Sequence, residues 1–381
     1  MKLSKLITLG ATALVATQMS YADIKIGVVT SSTGPVAMVG IPQKNTVALL
    51  PKQIGGQKVQ YISLDDGSDP TASVKAIAKL ITENNVDAII GPSGSPNANA
   101  VIGAIAKAGV PLLAPVGTST VVLPMNEQKK WVFKTTQNDE IIAEALVRDM
   151  VKRKIKTLGF IGTADPYGEN WSRVISQLAA KNGITVVQKE SFQRQDTSLT
   201  GQALKLISKK PQAVLIAAPG SSAVPPQTAL YDRGFRGQVY QTHGAALDQF
   251  LTMGGKKVEN TILAASLMLV LKEVSSQHPS KAIATKYMND YKKLYGSYPA
   301  TFGANVYDAG ILLEKAIPTA LKGGKPGTAE FRSALRTALE KTKNVAGTQG
   351  VYSMTPMDHS GFDKRGREMI IVKNGTWKLL K

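Results

Sequence analysis

The chain has 381 residues, more than one ordinary hydrophobic core fills and enough for two domains of about 150–200 residues each. Hydrophobic residues at 43% and charged residues at 19% exclude a disordered chain, and the absence of cysteine excludes disulfides, thiolate metal sites and cysteine nucleophiles. The formal charge is +19, but Lys and Arg are scattered with few aromatics beside them; this predicts a solvated basic surface that draws anionic ligands, not a nucleic-acid-binding face.

Residues 1–22, MKLSKLITLGATALVATQMSYA, place Lys2 and Lys5 ahead of an apolar stretch, Leu6–Ala16, and close on Ser20-Tyr21-Ala22. That order predicts a secretory signal peptide cleaved after Ala22, with an apolar stretch too short to span a bilayer. The mature chain is expected to begin at Asp23 and to be exported to the periplasm. No cysteine follows the stretch, which argues against a lipid anchor.

From Asp23 the pattern alternates. IKIGVV (24–29), Val59–Leu64, DAIIG (87–91) and GVPLLAP (109–115) read as strands. Between the second and third, Val74, Ile77, Ala78 and Ile81 recur at helical spacing. The same grammar restarts after residue 138: TLGFIG (157–162), ITVVQKE (184–190), AVLIAA (213–218) and VYQT (239–242) are predicted strands with helices between them. Strands alternating with helices predict parallel sheets covered on both faces, here as two successive α/β units. Residues 281–340 hold three predicted helices, which must pack back on one of the lobes. The tail EMIIVKNGTWKLL reads as a hairpin with NG at its turn.

Catalytic motifs are missing. No GxGxxG follows a strand, and there is no GxxxxGK[ST], HExxH or GxSxG. His243, His278 and His359 are far apart in sequence, which predicts no metal cluster. Asp65 and Asp66 follow a strand, where a helix-entry turn before Asp69-Pro70 is a simpler reading than acid catalysis. Neither a hydrolase nor a dehydrogenase has a positive feature here, and no cofactor is expected.

The stretch IIGPSGSPNANAV (89–101) ends a strand and opens a helix, with Ser95 predicted as N-cap and Pro96 at the first helical position. Its free N–H groups, with the Ser93 and Ser95 hydroxyls, favour an anion, carboxylate as well as phosphate. The Lys of a phosphate loop is missing. The loop after the next strand, APVGTST (114–120), adds Thr118, Ser119 and Thr120 at the carboxyl ends of a parallel sheet, where ligands of such sheets bind.

The segments IKIGVVTSSTGPVAMVG, LDDGSDPTASVKAIAKLI, IIGPSGS, VPLLAPVGTST, ADPYGENW and NVYDAGILLEKAI occur in an order that resembles the leucine/isoleucine/valine-binding family of periplasmic solute-binding proteins, type I, over essentially the whole mature chain. The resemblance implies two Rossmann-like α/β lobes with parallel central sheets, joined by three hinge crossings and closing on a small ligand. It divides the chain into 23–137 with 267–348, and 138–266 with 349–381, with hinges near Thr136, Ser266 and Thr348. It implies a non-enzymatic, monomeric receptor that hands its ligand to the membrane permease of an ABC importer. Gly94 and Ser95 match the positions that grip a ligand carboxylate, Val116 (through its backbone) and Thr118 the companion loop, and Tyr167 the tyrosine from the second lobe.

Three departures bear on the ligand. Where amino-acid binders of the family place a carboxylate for the ammonium, QTHGAA (241–246) has His243; where relatives have aromatics, this chain has Val39 and Gly220-Ser221. Burying an ammonium without a counter-charge is costly. A benzoate- or cinnamate-like aromatic acid is therefore expected ahead of a branched-chain amino acid. HGAALDQFL and the tail MDHSGFDKRGREMIIVKNGTWKLL also resemble relatives that bind aromatic acids. An exported enzyme on the same fold, and a sensor docking on a membrane receptor, are the rival readings.

Overall fold

The structure, a computed structural model, describes residues 23–381. The expected signal peptide, 1–22, lies outside the described residues.

The first sheet is built from β1 (Ile24–Thr30), β2 (Gln53–Ile54), β3 (Gln57–Asp65), β4 (Ala88–Ile90), β5 (Leu112–Ala114) and β6 (Val132–Lys134), in the order β2-β3-β1-β4-β5-β6. Apart from the β2–β3 hairpin at its edge, every pairing is parallel. Helices α1 (Ala37–Thr46), α2 (Pro70–Thr82) and α3 (Ser95–Ala108) come from the connections. α2 and α3 bury Ile77, Leu80, Val101 and Ile105 against one face. The burial of Ile77 follows from the predicted helical spacing; Val74, counted in the same stripe, is exposed.

The second sheet takes β7 (Thr157–Thr163), β8 (Thr185–Phe192), β9 (Ala213–Ala217), β10 (Gln238–Gln241) and β11 (Ile262–Ala265), all parallel. Around it lie α4 (Asp139–Lys152), α5 (Pro166–Lys181), α6 (Thr200–Ser208), α7 (Val224–Asp232) and α8 (Asp248–Gly254). The chain then returns to the first lobe as α9 (Lys281–Tyr295), α10 (Thr301–Ala320) and α11 (Ala329–Glu340), of which α10 and α11 bury Leu312, Leu313, Phe331 and Leu335 against the other face of the first sheet. A short hairpin, β12 (Val345–Ala346) and β13 (Val351–Tyr352), follows. The tail hairpin β14 (Glu368–Lys373) and β15 (Thr376–Leu379) completes the second sheet antiparallel to β11, in the order β15-β14-β11-β10-β9-β7-β8. Its turn residues Asn374 and Gly375 have φ of 52° and 66°, the left-handed pair that an NG hairpin turn requires.

Three connections join the sheets: 135–138, 266–280, and the segment after β13. Thr136 and Ser266 lie on the first two. The third differs from expectation. Thr348 is buried against Asp308, and Tyr352, Met354 and Phe362 pack in the first lobe's core, so the chain reaches the second sheet only at Glu368. The connections are laced together: Gln137 Nε2 donates to Gly366 O (2.6 Å) and the His278 Nε2 ring nitrogen lies 3.2 Å from Arg365 O, while Ser280 Oγ, at the end of the second, donates to Gly350 O (3.2 Å) in the turn between β12 and β13. The lobes are closed on each other, since Val39, Tyr287 and Phe302 share one buried cluster with Ile216, Ala245 and Phe250.

Candidate functional site

The loop after β4 is shaped by Gly91, whose φ of 120° is left-handed and whose absent Cβ would collide with the Val29 carbonyl oxygen. α3 then starts one residue earlier than the sequence suggests. Gly94 is its N-cap, Ser95 its first helical residue, and Pro96 lies within the first turn. The reason is local: Gly94 already has the extended φ/ψ of a cap (−101°, 144°), so the Ser95 hydroxyl is not used in capping. Beneath the loop, Asp66 is a buried hub. It accepts from Ser31 Oγ (2.7 Å), Ser73 Oγ (2.8 Å) and Asn97 Nδ2 (3.0 Å), and Ser31 N in turn donates to Ser93 Oγ (2.9 Å). Asp69, as expected of a helix entry, caps α2 by accepting from Ala72 N (2.6 Å).

Three strand ends of the second lobe face this loop. After β7, Asp165 caps α5 by accepting from Tyr167 N (2.9 Å) and Gly168 N (3.2 Å), and the Tyr167 hydroxyl shares a 2.8 Å hydrogen bond with Thr242 Oγ1. After β8, Arg194 Nε donates to Asp165 Oδ2 (2.7 Å). After β10, His243 is buried in a short helical turn. Burial, with the Lys134 ammonium nearby, pushes its imidazole down to about 3, so it is neutral at any ordinary pH.

The lobes touch where Gly117 meets His243 and Asp139. Lys134, fully buried at the end of β6, donates through Nζ to the carbonyls of Gly117 (2.5 Å), Thr118 (3.1 Å) and Gln137 (3.3 Å) and so holds the 116–118 loop. Asp139 accepts from Asn170 Nδ2 (2.6 Å) and lies 4.0 Å from His243 Nε2. Burial raises its carboxyl and lowers the Lys134 ammonium.

Between the lobes lies a small cavity. Of the residues predicted from sequence, Val39, Gly94, Ser95, Val116, Tyr167 and His243 line it. Thr118, Gly220 and Ser221 do not. The Thr118 hydroxyl is turned into its own loop, accepting from Thr120 N (3.3 Å) and bonded to Thr120 Oγ1 (2.9 Å), and Gly220 backs onto Val39 from outside. Among the described residues, no group of three or more His, Asp or Glu side chains is placed to hold a metal ion.

A family model described as periplasmic binding protein matches residues 23–369. The chain belongs to the periplasmic binding protein family. The Leu/Ile/Val-binding protein BraC3 of Rhizobium johnstonii is 24% identical over 86% of this chain and 86% of its own length. A Leu/Ile/Val-binding protein homologue from Brucella melitensis is 24% identical over 81% and 85%. Among solved structures, an extracellular ligand-binding receptor from Rhodopseudomonas palustris HaA2 is 42% identical, with a TM-score of 0.92 over 94% of this chain and all of that one. The leucine-binding protein LivK of Thermotoga maritima, 23% identical with a TM-score of 0.80, shares the fold.

As a periplasmic binding protein the chain carries cavity residues that sequence reasoning passed over. Arg194, Asn305, Phe302 and Thr136 all line the cleft. Arg194 stands in SFQRQD directly after a predicted strand, so its place at a carboxyl end was a usable signal. Asn305 and Phe302 sit on the first turns of α10, a helix contributed from far along the chain, and nothing local marks them.

Proposed function

We propose that this periplasmic binding protein is the ligand receptor of an ABC importer and traps a small aromatic acid, benzoate- or cinnamate-like, between its lobes. One observation carries this reading. Arg194, a cation, is the one charged side chain among the described residues lining the cleft, and no Asp or Glu is among them. An amino acid would bury its ammonium with no carboxylate to meet it, a cost of several kcal/mol, whereas an acid without an amine meets a helix N-terminus, the Ser93 and Ser95 hydroxyls and a guanidinium. The neutral imidazole of His243 is consistent with the same choice. Val36, Val39 and Phe302 offer apolar walls to a ring. On this reading the protein is a monomer exported to the periplasm, and its closed form is what a membrane permease recognises.

The named relatives support a second reading, a branched-chain amino acid as ligand of the same kind of importer. Thermal melts with benzoate, cinnamate, leucine and isoleucine separate the two. A ligand at about 100 times its Kd adds roughly 2.7 kcal/mol of stability, several degrees in melting temperature. Stabilisation by leucine or isoleucine, with none by the aromatic acids, overturns the first reading.

A further inference from the structure

Basic residues that are scattered along the sequence are gathered by the fold. In the second lobe the loops entering β7 and β9 carry Lys152, Arg153, Lys154 and Lys156, with Lys209 and Lys210. Those entering β10 and β11 add Arg233, Arg236, Lys256 and Lys257, while Lys181 ends α5 ahead of β8 and Lys373 ends β14. Because β7–β11 are parallel and β14 runs against them, all of these positions meet at one edge of the sheet, the base of the lobe. Hydrogen bonds join the loops there: Lys156 N donates to Gln212 Oε1 (2.5 Å), Gln238 N to Gln212 O (3.2 Å), and Gln238 Nε2 to Asn260 O (2.9 Å).

Charge at this base is one-sided. Eleven of the twelve cations are exposed and Lys257 is half-buried. Three carboxylates stand among them, and each is engaged. Asp149 pairs with Arg153 and Asp232 with Lys257, both at 2.7 Å, and Glu259 accepts from the backbone N–H groups of Asn374 (2.9 Å) and Gly375 (3.1 Å). The formal excess is nine, close to half of the chain's +19, and among the described residues the other ten cations form no ion pair. Helix C-termini favour cations, and α4, α5, α6 and α7 all end here, but that does not account for the excess. α2 and α3 end at the matching edge of the first sheet, where exposed Asp23, Glu83 and Glu127 stand among the lysines.

The kind and spread of the charge narrow the partner. Eight of the ten unpaired cations are lysines, compact hydrated point charges suited to a charged surface and not to the bidentate grip of one carboxylate or phosphate. From β14 to β8 the row covers five strand spacings, about 24 Å at roughly 4.8 Å each, wider than a single small ligand. We propose that the base of the second lobe is a docking surface for an anionic phospholipid bilayer, held by the attraction that lysine clusters exert on acidic headgroups. The cleft lies at the opposite, carboxyl edge of the sheet, about 20 Å away along the seven residues of β7, so docking leaves it free to load whatever its ligand.

Co-sedimentation of the whole mature protein with vesicles of phosphatidylglycerol and phosphatidylcholine, beside vesicles of phosphatidylcholine alone, tests the proposal. The wild type is expected to bind the anionic vesicles only, and to be released near about 1 M salt, where the Debye length is roughly 3 Å. Lys156→Glu/Lys209→Glu should lower the partition coefficient at least about tenfold. Lys75→Glu/Lys79→Glu, the same change of charge on exposed positions of α2, should leave it within about threefold. Thermal melts check that both variants fold, and the lipid and salt dependence of the wild type stands without them. Equal binding to neutral vesicles, equal losses in the two variants, or a wild type that binds duplex DNA in preference to anionic vesicles overturns the proposal.

Discussion

A Cβ on Gly117 would stand 2.7 Å from His243 Nε2 and 3.0 Å from Asp139 Oδ1, so the two lobes close here with room for a hydrogen atom only. The loop below cannot yield easily, because Lys134 holds its carbonyls from inside. Gly117→Ala should therefore hold the lobes apart and weaken ligand binding by about tenfold or more, while the ligand-free protein melts within a few degrees of wild type. Calorimetry and small-angle scattering of the liganded form check this. Wild-type affinity with a fully compact liganded form would show that closure does not depend on this contact.

Ser95, with a hydroxyl left free by the Gly94 cap, is expected to donate to the ligand carboxylate. Ser95→Ala should raise Kd by roughly ten- to a hundredfold, the effect of losing a hydrogen bond to a charged group at about 1.5–3 kcal/mol, with little change in unfolding midpoint. Unaltered binding of aromatic acids would remove Ser95 from the clamp.

His243 tests the charge requirement. His243→Gln keeps a neutral polar group and is expected to retain aromatic-acid binding within a few-fold. His243→Glu places a carboxylate where Asp139 is already near, and should cost at least about tenfold through like-charge repulsion with an anionic ligand. Titrations of both variants at pH 7 provide the comparison; equal affinities would mean that His243 does not sense the ligand's charge.

Asp308 gives a pH dependence of stability. Burial raises its carboxyl to about 6, against about 3.9 for an unfolded chain, although Thr348 and Tyr352 donate to it. The folded state thus holds this proton more tightly. Its stabilising contribution is complete below about pH 4 and is lost as pH rises through about 6, on the order of 2–3 kcal/mol in all. Asp308→Asn, which preserves shape, should flatten the urea-denaturation profile across that window. A variant whose stability changes with pH as the wild type's does would contradict the assignment.

How much of this could be read from the chain depends on where the signal resides. Parallel strands such as IKIGVV and AVLIAA are legible because burial on both faces makes them continuous apolar runs. α1 is not legible: it contains Gly40 and Pro42, poor helix formers, and rests on contacts with α10 instead. β6 and β11, three and four residues long, lack the flanking glycines and prolines that punctuate the equally short β4 and β5. Within the site, loop chemistry at strand ends singles out Gly94, Ser95 and Tyr167, which line the cavity. The Thr118 hydroxyl, on a loop of the same kind, turns inward to cap its own turn, a choice that loop chemistry alone does not reveal. Lys134 and Asp139 carry no local signal, since each lies about a hundred residues from His243 in sequence and only the fold brings them near it.

The ties among the three connections have a mechanical consequence. Gln137 joins the first to the third and His278 joins the second to the third, while Ser280 ties the second to the turn between β12 and β13. Independent straps would allow the lobes to shear and twist as well as swing. Straps bound together behave as one flat spring with a single bending axis, so the jaws return to the same register each time they shut.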